Sequence, residues 1–153
     1  MTISNDTSTN FGHLEAHDAQ LVRLGMLAER YFPEDPNTAL LKLRQLAELL
    51  AQLIASKVGI YTAPEEPQFE LLRRLELQGV LNRDMAQLFH QVRHAGNEAT
   101  HAMAGDHREA LTALRLTWQL GVWYHRTFGN PAFKSGPFVP PKAPKDESAE
   151  LRS

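Results

Sequence analysis

The stretch Pro36-Asn-Thr-Ala-Leu-Leu-Lys-Leu-Arg-Gln-Leu-Ala-Glu-Leu-Leu-Ala-Gln-Leu-Ile-Ala-Ser-Lys-Val58 decides the fold. Leu40, Leu43, Leu46, Ala47, Leu50, Leu53 and Ile54 recur at three- and four-residue intervals, the spacing that gathers side chains on one face of an α-helix. Leu41 and Leu49 widen that stripe, so the spacing predicts a central helix buried on most sides. Asp35 stands where an N-cap belongs, and Pro36 at the first helical position loses only a donor that has no intrahelical partner. Gly59 suits the stop.

Outward from this helix the chain keeps the same period. Residues 1 to 12 read as a disordered lead. A first helix is expected from His13 to Tyr31, with Leu14, Leu21, Leu24, Leu27 and Ala28 inward, and Phe32-Pro-Glu-Asp-Pro36 breaks it. A short third helix is expected over 68–77, with Phe69, Leu71, Leu72 and Leu75 inward and Arg73 and Arg74 facing out or pairing with Glu70 and Glu76. Asn82 caps a fourth helix through Met85, Leu88, Phe89 and Val92 that is expected to end near Gly96. Asp106, with Glu109 three residues on, opens a fifth helix that runs to Phe128 and stops at Gly129. Its aromatic residues Trp118, Trp123, Tyr124 and Phe128 read as packing residues. From Asn130 the chain carries five prolines and no apolar period, which reads as a linker or tail over 130–153. The expected fold is all-α, an antiparallel bundle of about five helices over residues 13–129, joined by short loops.

Composition narrows the classes of function. A formal net charge of -2 provides no global field for nucleic acid or an anionic membrane. With no cysteine there is no disulfide, thiol nucleophile or thiolate metal site. No apolar run approaches the roughly 20 residues of a membrane span, and Met1 to Asn10 is polar, without the apolar core of a signal peptide. A cytoplasmic protein is expected.

Polar chemistry concentrates in Phe89-His-Gln-Val-Arg-His-Ala-Gly-Asn-Glu-Ala-Thr-His101. Arg93 and Asn97 are four apart and share a face if the helix reaches that far, and Gly96 between them lets the backbone turn or another helix approach. With His101 folded back, these groups can hold a phosphate or carboxylate, or support acid–base cleavage of RNA. The alternative is structural: Arg93 and Asn97 cap the helix and tie it to its neighbour. His90 and His94 have a metal-ligand spacing, but Gln91 stands where a zinc protease needs its glutamate and no nearby carboxylate completes a set, so no metal is expected. Walker-type glycine loops, paired nuclease carboxylates and a nucleophile elbow are absent from the sequence.

Four blocks carry a resemblance: Ala28-Glu-Arg-Tyr-Phe-Pro-Glu-Asp-Pro-Asn-Thr-Ala-Leu-Leu-Lys-Leu-Arg44, Glu70-Leu-Leu-Arg73, Phe89 to His101, and Leu114-Arg-Leu-Thr-Trp-Gln-Leu-Gly-Val-Trp-Tyr-His125. In this order they resemble the N-terminal helical domain of the R (HsdR) subunit of type I restriction enzymes, over roughly residues 11–140. The resemblance implies a parent that translocates and cleaves DNA with ATP and magnesium, and that joins modification and specificity subunits. It assigns no cofactor to this chain, and it implies a non-catalytic part in assembly or regulation, with DNA reached through the parent. A more distant resemblance is to the HEPN helical superfamily, whose ribonuclease members use an Arg followed by a His. That implies an alternative, a ribonuclease or toxin using Arg93 and His101, although His101 follows Arg93 at a longer spacing than the motif has.

Overall fold

The structure is a computed structural model that describes residues 8–102 and 106–142, with side chains described for all of these except 101 and 102. The described residues form a short 3-10 turn, η1 (Gly12–Ala16), and five α-helices: α1 (Ala19–Tyr31), α2 (Pro36–Lys57), α3 (Gln68–Leu77), α4 (Arg83–Ala102) and α5 (His107–Phe128). This is the all-α bundle that the helical period predicts.

The central helix forms for the reasons its sequence implies. The Asp35 carboxylate accepts from Thr38 N at 3.0 Å, and Pro36 occupies the first turn. Leu40, Leu43, Leu46, Leu50 and Ile54 are all but fully buried. Each contributes about 1.5–3 kcal/mol by leaving water. α2 packs against α1 and α4 most extensively and also meets α3 and α5, so it is the axis of the core. At its end Gly59 takes φ 75°, which lets Ile60 N donate back to Ala55 O at 2.8 Å. Gly79 (φ 74°) closes α3 the same way, with Val80 N donating to Leu75 O.

Other caps also fall where the residue types indicate. Asn82 Oδ1 accepts from Met85 N at 2.8 Å, and Asp106 Oδ1 accepts from Glu109 N at 2.7 Å. Arg74 pairs with Glu66 at 2.8 Å, in the loop before α3, rather than with Glu70 or Glu76. Phe69, expected inward, is exposed in the first turn of α3, and Leu71, Leu72 and Leu75 alone make the buried contact.

Two elements differ from expectation. The first helix is split: η1 ends at Ala16, and Asp18 caps a new helix by accepting from Gln20 N at 2.8 Å. A local side-chain cap thus competes with continuation of the helix. The fourth helix does not stop at Gly96 but runs through it to Ala102. Gly96 is buried inside the helix because its neighbour leaves no room for a side chain.

The chain on either side of the bundle lies against it. The Glu29 carboxylate accepts from Ser8 Oγ (2.6 Å), Thr9 N (3.2 Å), Asn10 N (3.0 Å) and Asn10 Nδ2 (2.7 Å). Asn10 then pairs with the proline-containing segment after α5: Nδ2 donates to Val139 O and Oδ1 accepts from Val139 N, both at 2.9 Å. Phe138 packs on Trp118 with ring centroids 5.6 Å apart. Residues 8–12 and 130–142 therefore lie on the bundle through specific contacts, although composition alone assigns them none.

Candidate functional site

The polar stretch of α4 faces α2. Asn37 Nδ2 donates to Ala99 O at 2.9 Å near the start of α2. Two turns on, Arg44 Nη1 donates to Asn97 Oδ1 (3.2 Å) and to Thr100 Oγ1 (3.1 Å), and Thr100 Oγ1 donates in turn to Gly96 O (3.0 Å). Arg44 Nε lies 3.4 Å from Glu48 Oε1, an ion-pair contact without hydrogen-bond alignment. The Arg44 stem lies directly over Gly96, where a Cβ would sit 2.5 Å from Arg44 Cβ. The two helices therefore touch at a glycine, and a guanidinium from one bridges side chains of the other.

The expected constellation is regrouped by this geometry. Asn97 is held by Arg44 of α2. Arg93 is half-buried, and its Nε is a buried donor without a hydrogen-bond partner. His94 points outward and pairs with Glu98 at 3.1 Å across one helical turn. The His101 side chain lies outside the described residues. The His90 imidazole is pushed below the ordinary histidine value, first by burial and then by the Arg93 guanidinium, against an opposing pull from Glu76. A groove of about 280 Å³ between α4 and α5 is lined by Gln91, Ala95, Arg108 and Leu116 but not by Arg93 or Asn97. Chemically, the α2–α4 seam offers donors already committed to acceptors within the protein, which is what a helix-to-helix tie requires.

A second polar cluster joins residues far apart in sequence. His13 and His17, on η1 and at its end, meet His125 in the last turn of α5. His17 Nε2 and His125 Nδ1 share a hydrogen bond at 2.9 Å, so one ring donates and the other accepts. The His13 and His125 centroids are 5.4 Å apart, and Phe133 lies against both rings at 4.9 and 4.7 Å. Burial lowers the His13 and His17 pKa values, and the neighbouring His125 lowers both further. Lys57 adds to the effect at His17, whereas the Gly121 backbone opposes it at His13. Tyr124 sits beneath with its hydroxyl buried and unpartnered, and burial pushes its pKa up to about 12. His13 Nε2 lies beside Gly121 whereas the His17–His125 contact lies beside Gly129, and no group of three possible metal ligands converges among the described residues.

Arg44 and the three histidines were the residues that sequence alone did not single out. Arg44 flanks the apolar stripe of α2, and only the antiparallel register of α2 and α4 puts it over Gly96. The spacing of His13 and His17 was a usable signal, one helical turn apart. Their partner His125 is 108 positions from His17.

Comparison with known proteins places this geometry in a family. No solved structure matches the chain. The type I restriction enzyme EcoKI endonuclease subunit of Escherichia coli (strain K12) is 34% identical over 118 residues, covering 77% of this chain and 10% of that protein. The chain thus spans about a tenth of the length of the curated relative it matches. Residues 27–118, from the last turns of α1 to the middle of α5, match the family described as Domain of unknown function (DUF4145), and the chain belongs to that family.

Proposed function

We propose that this chain is a non-catalytic helical module that serves assembly or regulation within a type I restriction complex. The observation that carries the reading is the 34% identity to a type I restriction endonuclease subunit over most of this chain. The local chemistry supports a structural module: Asn97, which looks like a site residue in sequence, and Thr100 accept from Arg44 and tie α4 to α2. On this reading the ATP and magnesium chemistry belongs to other parts of a longer protein, and the partners of the module are the modification and specificity subunits. DNA is engaged through that larger protein.

The test is a binding titration of the labelled 153-residue chain against a purified core of modification and specificity subunits, with unlabelled R subunit as competitor. Saturable binding that the R subunit displaces is expected. No binding at 100 μM core, about −5.5 kcal/mol at the weakest, would remove the assembly reading. Cleavage of RNA by the purified chain without metal would replace it with the ribonuclease alternative.

A further inference from the structure

We propose that His13, His17 and His125 form an acid-sensitive latch that holds η1 and the proline-containing segment 130–142 against α5. The inference is independent of any docking on a restriction complex, because it rests on contacts within this chain.

The segment is attached at three points. Phe133 lies on the His13 and His125 rings, and its carbonyl accepts from Arg126 Nε at 2.9 Å. Phe138 packs on Trp118, with the Arg115 guanidinium 5.3 Å from its ring centroid. Val139 pairs with the Asn10 side chain. The first attachment is the one that can respond to protons. The 2.9 Å contact between His17 Nε2 and His125 Nδ1 needs one nitrogen with a proton and one without. When both rings are charged, both nitrogens carry protons and the contact becomes a repulsion between like charges.

The surroundings do not compensate such a charge. From α2, Lys57 lowers the His17 pKa; from α5, His125 lowers both His13 and His17, and His17 lowers His13. Asp18, at the start of α1, acts on the Tyr124 hydroxyl and holds it further toward its neutral form. Arg126 of α5 is engaged with Phe133 O, and Glu15 of η1 is exposed. No described carboxylate lies within ion-pair distance of the three rings. Burial acts in the same direction at His13 and His17.

The sign follows. Groups whose folded pKa lies below the ordinary value of about 6.5 favour the closed form above that value and lose it as pH falls through the folded pKa. Between the closed and the open pKa values, each proton gained on opening raises the open-to-closed ratio by up to about tenfold per pH unit, so His13 and His17 together steepen the response to at most about 100-fold per unit within that window. Opening frees the chain after α5, at roughly 3.3 Å per residue, as a tether of about 40 Å. The latch thus sets whether Val139 stays paired with Asn10, just before η1, or moves away from the bundle.

Trp118 reports the segment because Phe138 covers it. The experiment uses the full chain in a Trp123→Phe background, with Trp118 emission and amide hydrogen exchange followed from pH 8 to pH 5. The expected result is a red shift of Trp118, with loss of protection at residues 12–17 and 130–139 while α2 stays protected. His17→Gln with His125→Asn keeps a neutral amide hydrogen bond in place of the imidazole pair and makes the transition shallower, leaving only the His13 share; adding His13→Gln flattens it. His94→Gln, in the exposed pair with Glu98, leaves the transition unchanged. His90, on α4, is also shifted down, so His90→Gln is the second control and leaves the transition unchanged. Constant Trp118 emission, a transition as steep in the double variant as in wild type, or one that survives in the triple variant, would overturn the latch. If the double variant does not fold, ring-proton titration of the wild type decides: midpoints for His13 and His17 below 6.5 support the latch, and midpoints at or above 6.5 refute it.

Discussion

Gly96→Ala puts a methyl group where α2 and α4 touch. The added Cβ would lie 2.5 Å from Arg44 Cβ, 2.9 Å from its Cδ and 3.0 Å from its Cγ. Carbon atoms pack at about 3.5–4.0 Å, so the nearest contact is short by roughly 1 Å. The offending atom is a Cβ, fixed to the α2 backbone, and no rotamer change removes it. The helices must separate along a seam that also carries the Arg44–Asn97 and Asn37–Ala99 bonds. Overpacking of this kind costs about 1–3 kcal/mol, and occasionally more. Alanine returns up to about 1 kcal/mol of helix propensity over glycine. With the contact at the severe end, a net loss of about 2 kcal/mol is expected, or 4–8 °C in Tm for a chain of 153 residues. Thermal and urea unfolding of the 153-residue protein measure this directly. A double-mutant cycle locates the cause: Arg44→Gly removes the Cβ and should relieve more than about 1 kcal/mol of the Gly96→Ala penalty, whereas Arg44→Ala keeps that Cβ and should relieve less. A Gly96→Ala protein as stable as wild type, or one equally relieved by both Arg44 variants, would refute the close-approach argument.

The same physics orders the other glycines. Gly25→Ala runs into Cδ2, Cγ and Cβ of the buried Phe11 and should cost about 1–3 kcal/mol, whereas Gly121→Ala comes no nearer than 3.3 Å, to Leu14 Cδ1, and should fall within about 1 kcal/mol of wild type; a reversed order of Tm values would contradict this. Arg44→Met keeps the stem but removes the bonds to Asn97 and Thr100, costing about 1–2 kcal/mol. Arg93→Met removes a buried donor that has no partner and should change stability by no more than about 0.5 kcal/mol; urea unfolding that finds Arg93→Met the costlier of the two would sink the regrouping. Tyr124→Phe removes an unpartnered buried hydroxyl and should leave Tm equal or higher. Because the Tyr124 pKa is raised to about 12, wild-type stability is present below the ordinary tyrosine value of about 10 and declines above it. The variant should lose that alkaline decline, as followed by unfolding between pH 8 and 11.

How much of this was legible in the sequence depends on the range of the interaction. Features set within one helical turn were readable. Asp35, Asn82 and Asp106 cap the helices that their positions imply, and the leucine stripe of α2 is buried as its period requires. Breaks set by competition were harder. Asp18 begins a new helix where the apolar period suggests continuity, because its carboxylate satisfies a backbone donor locally. Gly96 looked like a stop because glycine lowers helix propensity, yet it is the position that admits Arg44. The docking of residues 8–12 and 130–142 was illegible because it depends on single long-range bonds, with Asn10 and Val139 separated by 129 positions. A proline-containing segment has no period from which such bonds could be inferred.

The regrouping of the candidate site follows from the same limit. A run of polar residues near the end of an amphipathic helix suggests a ligand as long as the facing helix is unknown. Once α2 is in place, Asn97 and Thr100 have their donor in Arg44, and their polarity is accounted for by the seam itself. Arg93 is not accounted for in this way, and neither is the Tyr124 hydroxyl; both are buried polar atoms without a partner. Such groups cost stability where they stand, so they separate the parts of the polar surface that hold the fold from those that do not. By that criterion the α2–α4 tie belongs to the bundle, whereas the histidine cluster, two of whose rings are shifted toward the neutral form, is poised to change with its surroundings.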